Sequence, residues 1–142
     1  MKRVLVLCTG NSCRSIMAEA IINKVGAGSV CAVSAGSQPA GYVHPKSLAT
    51  LKRHGIPCVS PQSKSWDFFD GENFDCVLTV CDRAGNETCP VYLADIRRVH
   101  WSIPDPAAAE GDEVSVDKVF DDVFLLLQAR ITDELMPLLE ND

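Results

Sequence analysis

No stretch of this sequence stays apolar for the roughly 18–20 residues that a membrane-spanning helix needs. Nor is a secretory leader expected. After Met1, Lys2 and Arg3 only residues 4–7 are apolar before Cys8, short of the about 7 residues that a leader's apolar region requires. The chain is therefore expected in the cytoplasm. There is no low-complexity tract, internal repeat or linker-like segment, and 142 residues split in two would leave two thin cores. One domain over residues 1–142 is expected. Positive charge is also short: 13 Lys and Arg against 19 Asp and Glu leave a net charge of −6, which argues against a nucleic-acid partner. No CxxC pair or Cys/His cluster at ligand spacing is present, so no zinc site is expected. Neither a Gly-Lys-Ser/Thr triplet nor a GxGxxG run occurs, which sets aside the two common nucleotide-phosphate loops.

Cysteine, by contrast, is abundant. Seven is an odd number, and in a reducing compartment it points to catalytic or redox thiols rather than a disulfide framework. Charge is uneven along the chain. Residues 1–60 carry seven basic and one acidic side chain, and residues 61–142 carry six basic and eighteen acidic. An anion is better received by the first half.

Apolar and β-branched runs predict strands at residues 3–7, 29–35, 75–80 and 97–101. Between them, residues 15–25 show helical spacing, with Ser15 or Ser12 as the N-cap and Gly26 and Gly28 as the stop. Residues 45–54 begin with Pro45 and end before Gly55, as a helix does. A short helical turn is expected at 66–69. A long amphipathic helix is expected over 113–139, with Val116, Val119, Phe120, Val123, Phe124, Leu127, Ile131, Leu135 and Leu138 as its core stripe. Strands alternating with helices predict an α/β fold: a doubly wound, four-stranded parallel sheet of flavodoxin-like layout.

The segment Cys8-Thr9-Gly10-Asn11-Ser12-Cys13-Arg14-Ser15 lies between the first strand and the first helix. Open α/β sheets bind ligands at that edge. A loop leading into a helix points amides inward, and the helix dipole adds positive potential. Cys8 stands at its base, where those donors and Arg14 are expected to lower the thiol's pKa. The Arg14 fork suits two oxygens of a tetrahedral oxyanion. Gly10 is expected to allow a tight backbone turn, and Asn11 to brace the loop by bonding its own backbone. Ser15 is placed to donate its hydroxyl to the thiolate.

Cys8-x5-Arg14-Ser15 after a first strand, followed by Ala18-Glu19-Ala20, resembles the low-molecular-weight protein tyrosine phosphatase superfamily. That superfamily includes thioredoxin-coupled arsenate reductases. The resemblance implies that Thr9, Gly10, Asn11, Ser12, Cys13 and Arg14 hold the oxyanion, with the Cys13 side chain turned away. It implies that Asp105 is a general acid, and Pro104 and Pro106 restrict the backbone on either side of it. Three departures separate the chain from the phosphatases. Ser12 stands where they carry an aliphatic residue, Ile16 where they carry Pro, and Ala107-Ala108-Ala109 where aromatic residues flank a phosphotyrosine. In the other direction, residues 80–90 resemble the redox segment of the reductases, and His100-Trp101 is similar to that branch as well.

Cys81 follows the third strand at the same sheet edge as Cys8, so the two thiols are expected to approach. Cys81 and Cys89 would be about 12 Å apart on a helix, and a disulfide needs Cα atoms within roughly 7 Å. If the segment is helical, forming that bond would require it to loop out, and Gly85 and Asn86 weaken a helix there. The resemblance implies arsenate reduction by a relay through Cys8, Cys81 and Cys89, with thioredoxin as the electron donor. A phosphotyrosine phosphatase and a redox-switched anion-binding module without turnover are the alternatives. Some reductases hold a potassium ion. Asn11, Glu19 and Ser34 match that site, but its remaining carboxylate position is Ser65, beside Lys64, and no resident cofactor is expected. Cys31 and Cys76 are expected in the core and Cys58 without a partner. His44 and His54 are expected to be surface groups.

Overall fold

A computed structural model describes residues 1–58, 61–82 and 93–140. Four strands form one parallel sheet: β1 (Lys2–Leu7), β2 (Val30–Ala35), β3 (Cys76–Thr79) and β4 (Arg98–His100). Their order is β2-β1-β3-β4, the flavodoxin-like arrangement expected. β1 is central and apolar throughout its second half because both its faces are covered. Val4 and Val6 enter one core, while Leu5 and Leu7 enter the other.

On the first face lie α1 (Arg14–Val25), α2 (Pro45–Arg53) and α3 (Glu113–Arg130), packed against one another. Met17, Ile21, Phe120, Phe124 and Leu127 fill that layer, each almost fully buried. A 3₁₀ turn (Trp66–Phe69) brings Phe69 onto Leu5, Leu7 and Val77 on the second face.

Both exposed-looking histidines fasten α2. His44 Nδ1 accepts from the Lys46 N–H as the N-cap, and its ring lies 5.3 Å from Phe120. His54 stacks on Phe124 at 4.1 Å and meets Asp121 at 3.0 Å. They are joints between helices, not free surface groups.

The long C-terminal helix is not continuous. After α3 comes a π turn (Ile131–Leu135) and then α4 (Met136–Glu140). Pro137 has no N–H to give the carbonyl four residues back, and its ring would crowd that carbonyl in a regular helix. The wider turn relieves this and delays the apolar stripe by one residue. Leu139, not Leu138, therefore closes the core after Ile131 and Leu135.

Candidate active site

Parallel register decides what meets at the sheet edge. Leu7 pairs with Ala35 on one side and Thr79 on the other. Cys8, Gly36 and Val80 are thus the next residues out, with Cys81 one further. The loop after β1 has little room beside β2: a Cβ on Gly36 would sit 2.3 Å from the Thr9 carbonyl oxygen and 2.5 Å from that of Cys8. Only glycine fits there. Nothing in the sequence singled out Gly36 beyond its ending a strand.

The loop's carbonyls are tied to its surroundings. Thr9 O accepts from Gln38 N (3.0 Å), Gly10 O from Ala40 N (2.8 Å) and Ser63 Oγ (3.0 Å), and Ser12 O from His44 N and Ser47 Oγ (3.1 Å each). The left-handed turn falls on Asn11, at φ 48°, and not on Gly10. A Cβ at Gly10 would meet only Ser12 Oγ, at 3.9 Å. Nor does Asn11 brace the loop through its own backbone: its side chain bonds other segments. Its Nδ2 donates to Ser15 Oγ (2.8 Å) and Ser34 Oγ (3.0 Å), and its Oδ1 accepts from the Lys64 N–H (2.9 Å). Asn tolerates the left-handed region because its short polar side chain bonds locally.

α1 begins at Arg14, with Cys13 as an N-cap whose side chain makes no capping hydrogen bond. Ser15 is therefore inside the helix, fully buried, with its hydroxyl accepting from Asn11. The uncapped first turn leaves orphan amides facing the loop. The Cys13 thiol is buried in the core, with Ser12 Oγ donating to it at 3.8 Å, and burial pushes its pKa up.

These elements surround a cleft of about 590 Å³, lined among others by Cys8, Arg14, Gln38, Cys81, Asp82 and Asp105. Neither Gln38 nor Asp82 was foreseen as a lining residue: Gln38 belongs to no local motif, and Asp82 had no role assigned within the segment 80–90. Arg14 Nη1 donates to Ile103 O at 2.9 Å, and Nη2 stands 3.8 Å from Asp105 Oδ2. Its Nε is buried without a hydrogen-bond partner. A buried N–H left unpaired costs about 1–3 kcal/mol, so the residue is set to gain from an acceptor. Asp105 Oδ1 accepts from the Ala107 N–H, which fixes the carboxyl at the start of a 3₁₀ turn (Pro106–Ala108).

Cys8 and Cys81 are both free thiols, buried and in hydrogen-bond contact. Thr9 N–H also donates to Cys81 Sγ at 3.4 Å. That contact corrects the expected acidity. The Cys81 hydrogen bond, followed by burial, pushes the Cys8 thiol well above its ordinary range. Arg14 and the Gly10 N–H pull the other way without prevailing. Local sequence contains the loop donors but not a second thiol 73 residues away, and two thiols sharing one proton resist losing both. Cys89 lies outside the described residues. Cys76 is a core residue, while Cys31 and Cys58 are partly buried.

Of the residues matched to a potassium site, Asn11 Oδ1 accepts from the Lys64 N–H and Ser65 Oγ from the Asp67 N–H. Burial pushes the Glu19 carboxyl up, against the pull of the Lys64 charge and of hydrogen bonds from Ser34. Among the described residues no group of three His, Cys, Asp or Glu side chains is arranged to hold a metal.

A Cys-Arg loop ahead of a helix, an Asp-Pro turn over it and this sheet order define a phosphatase-type oxyanion site on an α/β fold. The low molecular weight phosphotyrosine protein phosphatase family matches residues 3–141, and the chain belongs to it. Within that family, an arsenate reductase from Halalkalibacterium halodurans is 37% identical over 119 residues, 84% of each chain. A solved arsenate reductase in a phosphate-binding state matches with a TM-score of 0.81 at 27% identity, covering 96% of this chain and 98% of that one. A low molecular weight protein tyrosine phosphatase from T. tengcongensis matches with a TM-score of 0.79 at 25% identity, covering 96% and 99%. No helix among the described residues is long and apolar enough to cross a membrane.

Proposed function

We propose that this protein reduces arsenate to arsenite with cysteine electrons, recycled by thioredoxin in the cytoplasm and without a resident cofactor. One observation carries this reading over phosphoester hydrolysis: a second thiol, Cys81, touches Cys8 at the floor of the oxyanion cleft. Hydrolysis has no use for it. The arsenate reductases among the relatives and the absence of an aromatic side chain among the described residues of the cleft lining support the same choice.

In this mechanism the loop amides and Arg14 hold arsenate, and the Cys8 thiolate attacks arsenic. Asp105 gives its proton to the departing oxygen, which leaves as water. Cys81 then attacks Cys8 Sγ, and the sulfur–arsenic bond breaks with its electron pair going to arsenic. Arsenite leaves, and two thiols have supplied two electrons as a Cys8–Cys81 disulfide. Cys89 attacks Cys81 and frees Cys8, and thioredoxin reduces the Cys81–Cys89 disulfide.

The test is arsenate-dependent NADPH oxidation with thioredoxin and its reductase, run beside glutathione with glutaredoxin. Turnover is expected with the first system and its loss in Cys8→Ser. Cys89→Ser should release one arsenite per enzyme and then stall as a Cys8–Cys81 disulfide, identified by non-reducing peptide mapping. Sustained turnover of Cys89→Ser with thioredoxin would overturn the three-thiol relay. Phosphoester hydrolysis without arsenate turnover would favour the phosphatase reading.

A further inference from the structure

The backbone ladder between β3 and β4 ends at Thr79, whose carbonyl accepts from Trp101 N–H at 2.9 Å. Cys81 lies two residues past that point, yet its thiol must stay against Cys8. A side-chain bridge takes over where the ladder stops. Asp82 reaches across to the end of β4, where Oδ1 accepts from Ser102 Oγ and meets His100 Nε2 at 3.2 Å. On the other side of the ring, His100 Nδ1 lies 2.6 Å from the hydroxyl of Thr79, which is fully buried. The chain of contacts therefore runs from the sheet core through His100 to the residue immediately after Cys81.

We propose that Asp82, His100 and Ser102 form a clamp that fixes the end of β3 and holds Cys81 in reach of Cys8 for disulfide formation. They are positioning residues, and the proposal rests on the relay described above. The location supports the role. Asp82 follows Cys81 directly in the sequence and precedes the residues that lead to Cys89. A fastening at Asp82 therefore acts on Cys81 through a single peptide link. The bridge is made of exposed polar groups at a strand end that leads into a thiol. Two hydrogen bonds to an exposed carboxylate are strong enough to restrict the strand end and weak enough to leave the fold intact.

The experiment separates capture by Cys81 from oxyanion binding. Arsenite release and Cys8–Cys81 disulfide appearance are followed in a single turnover for Ser102→Ala and for Ser102→Ala with His100→Asn. Binding of inorganic phosphate is measured by calorimetry on the same proteins. Disulfide formation should slow about threefold in the single variant and about tenfold in the double, the range for one and two exposed hydrogen bonds. Phosphate affinity should stay within about twofold, because neither residue lines the cleft. Ser102→Thr, which keeps the hydroxyl, should restore the wild-type rate. Equal losses in phosphate affinity and disulfide rate would make the cluster a general structural element and overturn the clamp. So would an unchanged disulfide rate in Ser102→Ala. Cys81→Ser, run alongside, isolates the underlying reading: undiminished arsenite release there would defeat the relay itself, whereas loss of release with unaffected clamp variants would defeat only the clamp.

Discussion

Replacing Asn11 by Ala removes three side-chain hydrogen bonds at a fully buried position, those to Ser15 Oγ, Ser34 Oγ and the Lys64 N–H. Each contributes about 1 kcal/mol net to stability. The backbone there is left-handed, at φ 48°. Alanine has no polar side chain to offset that conformation, which costs an L-residue about 1–2 kcal/mol. Together these give a loss of about 4 kcal/mol, a large share of the roughly 5–15 kcal/mol of a typical domain. Urea titration should show the midpoint falling while the slope m stays constant, since the folded core is unchanged. The melting temperature should drop by roughly 10–15 °C for a chain of this size. Asn11→Gly loses the same bonds but not the strain, so it should lie within about 1 kcal/mol of the alanine variant on the stable side. Because Asn11 ties the loop to the first turn of α1 and to β2, phosphate affinity should fall in both variants. A loss below about 1 kcal/mol in Asn11→Ala would show that the loop does not depend on this residue, and the reasoning would fail.

Asp105→Asn should slow single-turnover arsenite release by roughly 10²–10⁴ at neutral pH, the usual contribution of a positioned acid. The asparagine oxygen still accepts from Ala107 N–H, so phosphate binding should persist, and an unchanged rate with chemistry limiting would remove Asp105 from the role. Cys81→Ser takes away the largest cause of the raised Cys8 ionisation, and burial remains. The pH profile of Cys8 alkylation by iodoacetamide, mapped by mass spectrometry, should therefore move to lower pH in that variant. A profile that does not move would show that Cys81 does not govern Cys8.

The sheet and its helices were legible because their signals are local. An apolar run buried on both faces marks β1, and helical spacing marks α1 and α3. The loop was legible as a constellation, since Cys8, Arg14 and Ser15 belong to one continuous segment. What failed turned either on which of several neighbouring residues takes a role or on distant partners. Ser15 reads as an N-cap until Asn11 occupies it. Gly10 reads as the turn glycine until Asn11 adopts the positive φ. The long helix reads as uninterrupted unless Pro137 is weighed against the carbonyl four residues before it. Gly36 and Gln38 carry no motif, and Asp82 had no role assigned within the redox segment, because their significance lies in contacts with residues 20 or more positions away.

The raised ionisation of Cys8 looks at first like a defect in a nucleophile, but the thiol pair explains it. The hydrogen bond with Cys81 and burial oppose the anionic pair, so the two sulfurs share a proton and lose the second one reluctantly. In the proposed relay only one thiolate is needed at a time. Once Cys8 is bonded to arsenic it no longer shares a proton with Cys81, and the Thr9 N–H stands 3.4 Å from the Cys81 sulfur as a donor. A phosphatase, which ends its cycle with water, has no second thiol to activate and would bear the penalty without the return. The register that sets Cys81 against Cys8 is therefore intelligible for a dithiol reaction and costly for any other use of this loop.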